Sequence, residues 1–498
     1  MNALLNSMKN ATNYDLTENG AIKHNTTMSG LLDLFAMGAA MRNRTDSDCI
    51  LMFKKAYDEN PEYAMKCLFY IRDVRGGQGE RRFFRVIMKW LANTHTEAVR
   101  RNLQYVAEFG RWDDLYCFVN TRLEEDAFKI MKHQLALDIE SKTPSLLAKW
   151  LKSENASSKE STRLGNLTRI YFNMSHKEYR KTLAYLRAKI NIVERLMSEN
   201  RWDEIEFDKI PSKAGLIYKN AFARRDIIKA KYEKFAKDTT TTVNAGALYP
   251  YEVVEKAIDL MGTHSYGWYG KQSNVALDNT DRLMINKYWD NLTDYFADSK
   301  LNALCMVDTS GSMSGTPINV ATALGLYCAE KAGGPFANHY ISFSSRPQLI
   351  ECEGVDFCDK VDRIVRTNLC ENTNIEAAFD MILTTALIYH VAQEDLPETI
   401  LVISDMEFNM ASHQLNSSRV ETVMESIARK WESHGYHMPK LVYWNVDARS
   451  NNIPMLGVKN VSFVSGFSPS IFQSIATGKS GMDLMMETLG KERYSCIH

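Results

Sequence analysis

The chain has 498 residues, 45% hydrophobic and 24% charged, with 60 Lys+Arg against 61 Asp+Glu. That length asks for more than one domain, and the composition excludes a disordered, collagen-like or disulfide-stapled chain. No stretch is long and apolar enough to span a bilayer and no apolar leader opens the chain, so the sequence predicts no membrane association and a cytoplasmic location, with association with a virion as the alternative.

Residues 1 to 250 carry 41 Lys+Arg against 31 Asp+Glu, a net of +10, and residues 251 to 498 carry 19 against 30, a net of −11. An N-terminal half of that sign suits a polyanion, and a C-terminal half of the opposite sign suits a cation. The nine cysteines are scattered without a C-x-x-C pair. They fit a reducing compartment, with Cys305 and Cys328 as core thiols in apolar runs.

Taken in order, residues 1 to 27 are polar, rich in Asn and Thr, and read as an extended arm. From residue 28 the helical period takes over. Helices are predicted at 31–41, 47–60, 61–74, 81–94 and 96–110, then over 112–120, 126–141 and 145–154, and at 176–200 as one helix or a hairpin of two. Helices at such short intervals with no strand pattern between them predict an α-solenoid of HEAT-like helical repeats, residues 28–298. A Thr-rich linker near 236–250 interrupts it, and further helices fall at 251–261 and 281–297. The glycine- and aromatic-rich loop GTHSYGWYG, 262–270, lies between them.

Two basic groups stand out in this half. In FYIRDVRGGQGERRFFR, residues 69–85, Arg72, Arg75, Arg81, Arg82 and Arg85 surround Gly76, Gly77 and Gly79. Guanidinium groups match phosphate bidentately and glycine lets a backbone come close. The same run also reads as an inter-helix turn whose charges are solvated or paired with Asp73 and Glu80. In YKNAFARRDIIKAKYEK, 218–234, Lys219, Arg224 and Arg225 lie among Tyr218, Phe222 and Tyr232. These aromatics either stack on unpaired bases or pack a helix core. Trp112, Trp150 and Trp202 read as helix-packing residues.

From residue 299 the period changes. Strands are predicted at 301–308, within 339–351, and at 398–405, 441–446 and 460–467. Helices alternate with them at 318–332, 374–390, 418–433, 469–478 and 481–489. This is a doubly wound α/β domain, residues 299–498. The first helix carries Ala and Gly on one face, which suits close packing on the sheet.

The stretch LNALCMVDTSGSMSG, 301–315, ends its apolar strand on Asp308 and offers the hydroxyls of Ser310 and Ser312 within five residues. Ligands of open α/β sheets bind at that edge, and magnesium takes a few such oxygens while keeping water in the remaining positions. A helix cap or polar turn uses the same residues. A haloacid-dehalogenase-type phosphatase needs a second aspartate where Ser310 stands, and no G-x-x-x-x-G-K-[ST] occurs. Glu407, in SDMEF, has no nucleophile or histidine spaced to join it, so no enzyme is predicted.

The D-x-S-x-S spacing resembles the metal-ion-dependent adhesion site (MIDAS) of von Willebrand factor A domains. That resemblance implies that Thr373, in ENTN, and Asp405, ending ETILVISD, complete a Mg2+ or other divalent-cation site with Asp308, Ser310 and Ser312. It also implies an open coordination position for an acidic side chain of a partner protein. A helical-repeat domain followed by an A domain resembles the TROVE/Ro-autoantigen-like ribonucleoprotein family. The blocks FYIRDVRGGQGERRFF, LLAKWL, NRWDEIEFDKIPSKA, SDMEF, LVYWNV and VSGFSPS are similar to a related family of unknown function with the same plan. The Ro resemblance implies binding of single-stranded RNA ends or small structured RNA by the helical half. The other reading is a protein-assembly scaffold, viral among others, whose A domain docks an acidic partner.

Overall fold

The computed structural model describes residues 13–190, 192–261, 279–297, 301–343, 346–367, 373–410, 421–456 and 460–498. The loop at 262–270, the first twelve residues of the arm, and Glu371 and Asn372 of ENTN lie outside the described residues. The chain forms two compact units: residues 1–67 with 245–494, and residues 68–244 with 495–498. The sequence places the change of domain at 298/299; here the first 67 residues cluster with the α/β part.

In the first of these units, six strands form one sheet: β3 (Ala303–Asp308), β4 (His339–Phe343), β5 (Gln348–Glu351), β6 (Thr399–Ser404), β7 (Lys440–Asn445) and β8 (Val461–Ser465), in the order β5-β4-β3-β6-β7-β8. All neighbours run parallel except β5, which returns antiparallel on β4. This is the doubly wound arrangement expected from the alternation of strands and helices, in keeping with the von Willebrand A-like domain that the motif resemblance implies. The apolar runs are explained by burial: every residue of β3 and β6 is buried, as strands covered on both faces require. Chain order reverses on either side of β3, which makes its C-terminal end the switch point of the sheet. The helix Thr316–Lys331 packs on β3. A Cβ on its Gly325 would come within 2.5 Å of Val307 Cγ2, so the predicted small face is a requirement of helix–strand distance.

The arm is not extended in solvent. Strands β1 (Tyr14–Leu16) and β2 (Ile22–His24) form a hairpin. It is docked because its polar groups find partners in the loops after β6 and β7. Thr17 Oγ1 donates to the Phe408 carbonyl (2.7 Å), and His24 and Ile453 exchange backbone hydrogen bonds (3.1 and 2.9 Å). The apolar helix Gly30–Met37 follows, capped by Ser29, and packs on β8. Ser465 Oγ donates to the Phe35 carbonyl at 3.1 Å.

The second unit, 68–244, is helical, each helix packing chiefly on near neighbours in sequence: Arg82–Thr94 on Thr96–Asn102, Glu124–Glu140 on Lys159–Phe172, and Ser212–Arg224 on Asp226–Lys237. Arg82–Thr94 shows the apolar stripe that drives this, burying Phe83, Phe84, Ile87, Met88 and Leu91. Three predicted helices come out shorter. The run 96–110 breaks into Thr96–Asn102 and Val106–Phe109 around a 3-10 turn, and 112–118 is 3-10 throughout. At Asn102 the buried side-chain amide donates to the Ala98 carbonyl, a local alternative to helix continuation. The third, 145–154, keeps helix only over Leu147–Trp150. The run 176–200 resolves into His176–Ile190 and Val193–Ser198.

Candidate functional site

β3 ends on Asp308 and β6 on Ser404, with Asp405 next, so two adjacent parallel strands deliver two carboxylates to one sheet edge. Asp308 is wholly buried. Its Oδ1 accepts the Ser310 backbone N–H (2.9 Å) and its Oδ2 accepts the Ser404 hydroxyl (2.5 Å). Ser310 and Ser312 share a hydroxyl–hydroxyl hydrogen bond of 3.0 Å, and the Ser312 hydroxyl reaches Asp405. Asp405 also accepts the Glu407 backbone N–H (3.1 Å) and an Arg449 guanidinium N–H (2.7 Å). Thr373 is buried, and its carbonyl accepts the Asn409 N–H at 3.0 Å, which ties it to the loop that follows Asp405.

Burial and then the charge of Asp405 push the Asp308 carboxyl up to about 7. Burial raises Asp405 as well, against the pull of Arg449. Two buried carboxylates that repel each other, surrounded by hydroxyls, are a donor set of hard oxygens, and that set fits magnesium or a similar cation. Among the described residues no group of three or more His, Cys, Asp and Glu is placed to hold a metal. The oxygens gathered at this edge are the two carboxylates and the hydroxyls of Ser310, Ser312 and Ser404.

Three residues at this edge escape a reading of spacing alone. Ser404 precedes Asp405 and orients Asp308. Arg449 follows β7, and its guanidinium bridges Asp405 and Glu18 of the hairpin tip (3.0 Å to Glu18). Glu18 in turn gives its backbone N–H to Glu407 Oε2 (2.8 Å), while Glu407 Oε1 accepts from Ser450 Oγ (2.6 Å). Glu407 is fully buried, and its work is to anchor the hairpin.

The basic residues fare unevenly. Arg72 is 1% exposed and pairs with the buried Asp114 (2.8 and 2.7 Å), and Arg85 clamps the same carboxylate (2.6 Å). Both serve an internal charge cluster, and so the phosphate-contact reading is corrected for these two. Lys219 is 2% exposed within the packed helix Ser212–Arg224 and is corrected likewise. Arg75 and Arg81 are exposed and Arg82 is half-buried. The glycines have a structural cause too: a Cβ on Gly77 would collide with the Tyr70 carbonyl, where the loop folds back so that Gln78 N–H reaches that oxygen at 3.1 Å. Arg224 and Arg225 are exposed. Phe222 and Tyr232 belong to a core cluster with Phe207, with ring centroids 5.4 and 5.0 Å away.

Residues 17–164 and 136–300 match the family described as Domain of unknown function (DUF2828), and residues 302–492 match Domain of unknown function (DUF7788). The chain belongs to the DUF2828 family. This DUF2828 chain is 29% identical over 523 residues to Uncharacterized protein L728 of Acanthamoeba polyphaga mimivirus, covering 96% of the chain and 87% of that relative. It is also similar, at 13% identity and a TM-score of 0.40, to a solved structure, "Crystal structure of Deinococcus radiodurans RO (RSR) protein". That likeness covers 90% of this chain and 93% of the other. No helix among the described residues is long and apolar enough to cross a membrane.

Proposed function

We propose that this is a non-enzymatic RNA-binding protein whose helical unit holds single-stranded or small structured RNA. Its α/β unit recognises a ligand through a divalent cation held by Asp308, Ser310, Ser312, Thr373 and Asp405. The observation that carries the RNA reading is charge segregation along the fold. Residues 68–244 hold 34 Lys+Arg against 23 Asp+Glu, a net of +11, and the rest of the chain holds 26 against 38, a net of −12. The compact helical unit is thus more basic than the N-terminal half as a whole, and basic units of that kind bind polyanions with strong salt dependence. Asp308 and Asp405 would hold the cation, with the hydroxyls of Ser310, Ser312 and Thr373 as neutral ligands, and it would supply positive charge for an anionic group of the ligand. Glu407, spent on the hairpin, is not available for acid–base work.

A protein-assembly role has one observation in its favour: an acidic side chain of the chain itself, Glu18, already sits beside Arg449 and Asp405. Binding of a short single-stranded RNA to the full chain over a salt titration tests the first reading. Affinity that falls steeply with salt, and that drops in the Arg75→Glu, Arg81→Glu, Arg82→Glu variant, supports it. RNA binding that is absent at low salt overturns it in favour of assembly.

A further inference from the structure

On several helices of the helical unit an outward cation is matched by a carboxylate three or four residues away: Arg163 by Glu160, Lys129 by Glu125 and Arg195 by Glu199. The helix His176–Ile190 departs from this pattern. Its inner face buries Tyr179, Leu183 and Leu186. The face opposite, by helical phase, carries Lys177, Arg180 and Lys181, all three exposed. Among the described residues none of the three has a carboxylate partner, and the Arg180 guanidinium only returns to the His176 carbonyl at 3.3 Å. Glu178, the one acid of this helix, is turned back to accept the Ser175 backbone N–H at 2.7 Å. The i, i+4 line from Lys177 through Lys181 continues to Tyr185 and Lys189. Tyr185 is 49% exposed, and its neighbours Ala184 and Ala188 are too small to cover it. Lys189 Nζ lies 4.5 Å from the ring centre and donates to the carbonyls of Ile139 and Ser141 (2.9 and 3.0 Å). It thus fixes one side of the ring and leaves the rest to solvent.

Like charges four residues apart on a helix repel and cost it stability. Nothing within the unit offsets that repulsion, whereas a polyanion lying along the face does. The open ring in line with the cations narrows the choice of polyanion. A single strand of nucleic acid offers phosphates together with flat unpaired bases that stack on an aromatic side chain. A duplex offers phosphates but keeps its bases stacked on one another. An anionic membrane surface also attracts cations, but a helix that lies in it needs an apolar face to bury there, and the apolar face of this helix is already spent inside the unit.

We propose that the outer face of His176–Ile190 is a track for single-stranded RNA, with Lys177, Arg180 and Lys181 on backbone phosphates and an unpaired base stacked on Tyr185. The inference rests on the RNA reading and names the face of the helical unit along which the strand lies.

The test uses the full chain, with a short oligouridine and a duplex RNA of the same length titrated over a range of salt, and with vesicles containing phosphatidylserine. One variant combines Lys177→Gln, Arg180→Gln and Lys181→Gln; the other is Tyr185→Ala. All four positions are exposed, so both variants should keep the parent's circular dichroism. The triple variant should flatten the slope of log affinity against log salt by about 2, three phosphates at about 0.7 each. Tyr185→Ala should weaken oligouridine by roughly fivefold or more and leave the duplex unchanged, and Tyr185→Phe should restore the loss, because the ring face does the stacking. An unchanged slope overturns the proposal, as does a Tyr185→Ala variant that keeps its oligouridine affinity or loses duplex affinity to the same extent. Oligouridine binding with any of those results leaves the RNA reading standing with the strand on another face. No oligouridine binding removes both, and vesicle binding in its place assigns the lysines to a membrane surface.

Discussion

Arg449 holds the carboxylate of Asp405 that a divalent ion at this edge would need. The guanidinium N–H lies 2.7 Å from Asp405 Oδ2, so the protein carries its own counter-charge where the cation would sit. Arg449→Gln is therefore expected to tighten Mn2+ binding, read by electron paramagnetic resonance titration, by roughly tenfold, about the effect of removing one like charge near a partly solvated site; unchanged affinity would place the cation elsewhere. Asp308 gives a pH prediction. Its carboxyl moves from an ordinary 3.8 up to about 7. Between those values the folded chain keeps a proton that the unfolded chain has released, so raising the pH favours unfolding. The cation-free chain should lose stability from about pH 4 to about pH 7, by at most about 4 kcal/mol, and then level off. Asp308→Asn should flatten that slope in melts run with a chelator. Arg72→Met leaves the buried Asp114 with less than its full complement of partners and is expected to cost about 3–5 kcal/mol in denaturant unfolding, whereas exposed Arg75→Met should cost within about 0.5 kcal/mol. At this scale the sequence was half legible. The place of Asp308, Ser310, Ser312 and Asp405 at one sheet edge could be read because a strand end and the turn after it are local patterns. Arg449 could not, because it lies 44 residues beyond Asp405 and meets it only through strand adjacency. Arg72 and Arg85 were misread because their counter-charge, Asp114, lies 42 and 29 residues away.

Elements with a single apolar period were read correctly, and those held by polar side chains were not. The strands β3, β6, β7 and β8 and the helix Thr316–Lys331 follow from runs and spacing, and even the small face of that helix was visible. Gly325→Val should push side-chain atoms into Val307 and cost about 1–3 kcal/mol or more, measurable as a lower denaturation midpoint. The β1–β2 hairpin was not visible, because nothing local in an Asn- and Thr-rich arm reveals that Thr17, Glu18 and His24 have partners near residues 407–453. Glu407 is the central anchor: it accepts from the Glu18 backbone and from Ser450 Oγ, and Lys23 donates to that same hydroxyl at 2.7 Å. Glu407→Ala should release the hairpin before the sheet, at a cost of about 1–3 kcal/mol. Hydrogen exchange should then show residues 14–24 losing protection while β3 and β6 keep theirs; uniform loss across the sheet would mean that the hairpin is integral to it.

On the scale of the molecule, net charge was legible and its boundary was not. Composition gave a basic half and an acidic half, but the units that carry those charges are 68–244 and the remainder. This division sets how RNA affinity should respond to salt: a unit of net +11 that contacts several phosphates should lose roughly tenfold or more in affinity between 50 and 200 mM salt. The helical unit is a nearly continuous stretch of chain, whereas the other unit is assembled from two stretches that lie far apart in sequence. During synthesis the first sixty-seven residues emerge early and find their partner strands only after the last of the sheet, β8, has left the ribosome. The helical unit can therefore settle while the opening segment waits, and a fragment beginning near residue 299 would leave β8 without the helix Gly30–Met37 and the sheet edge without its hairpin.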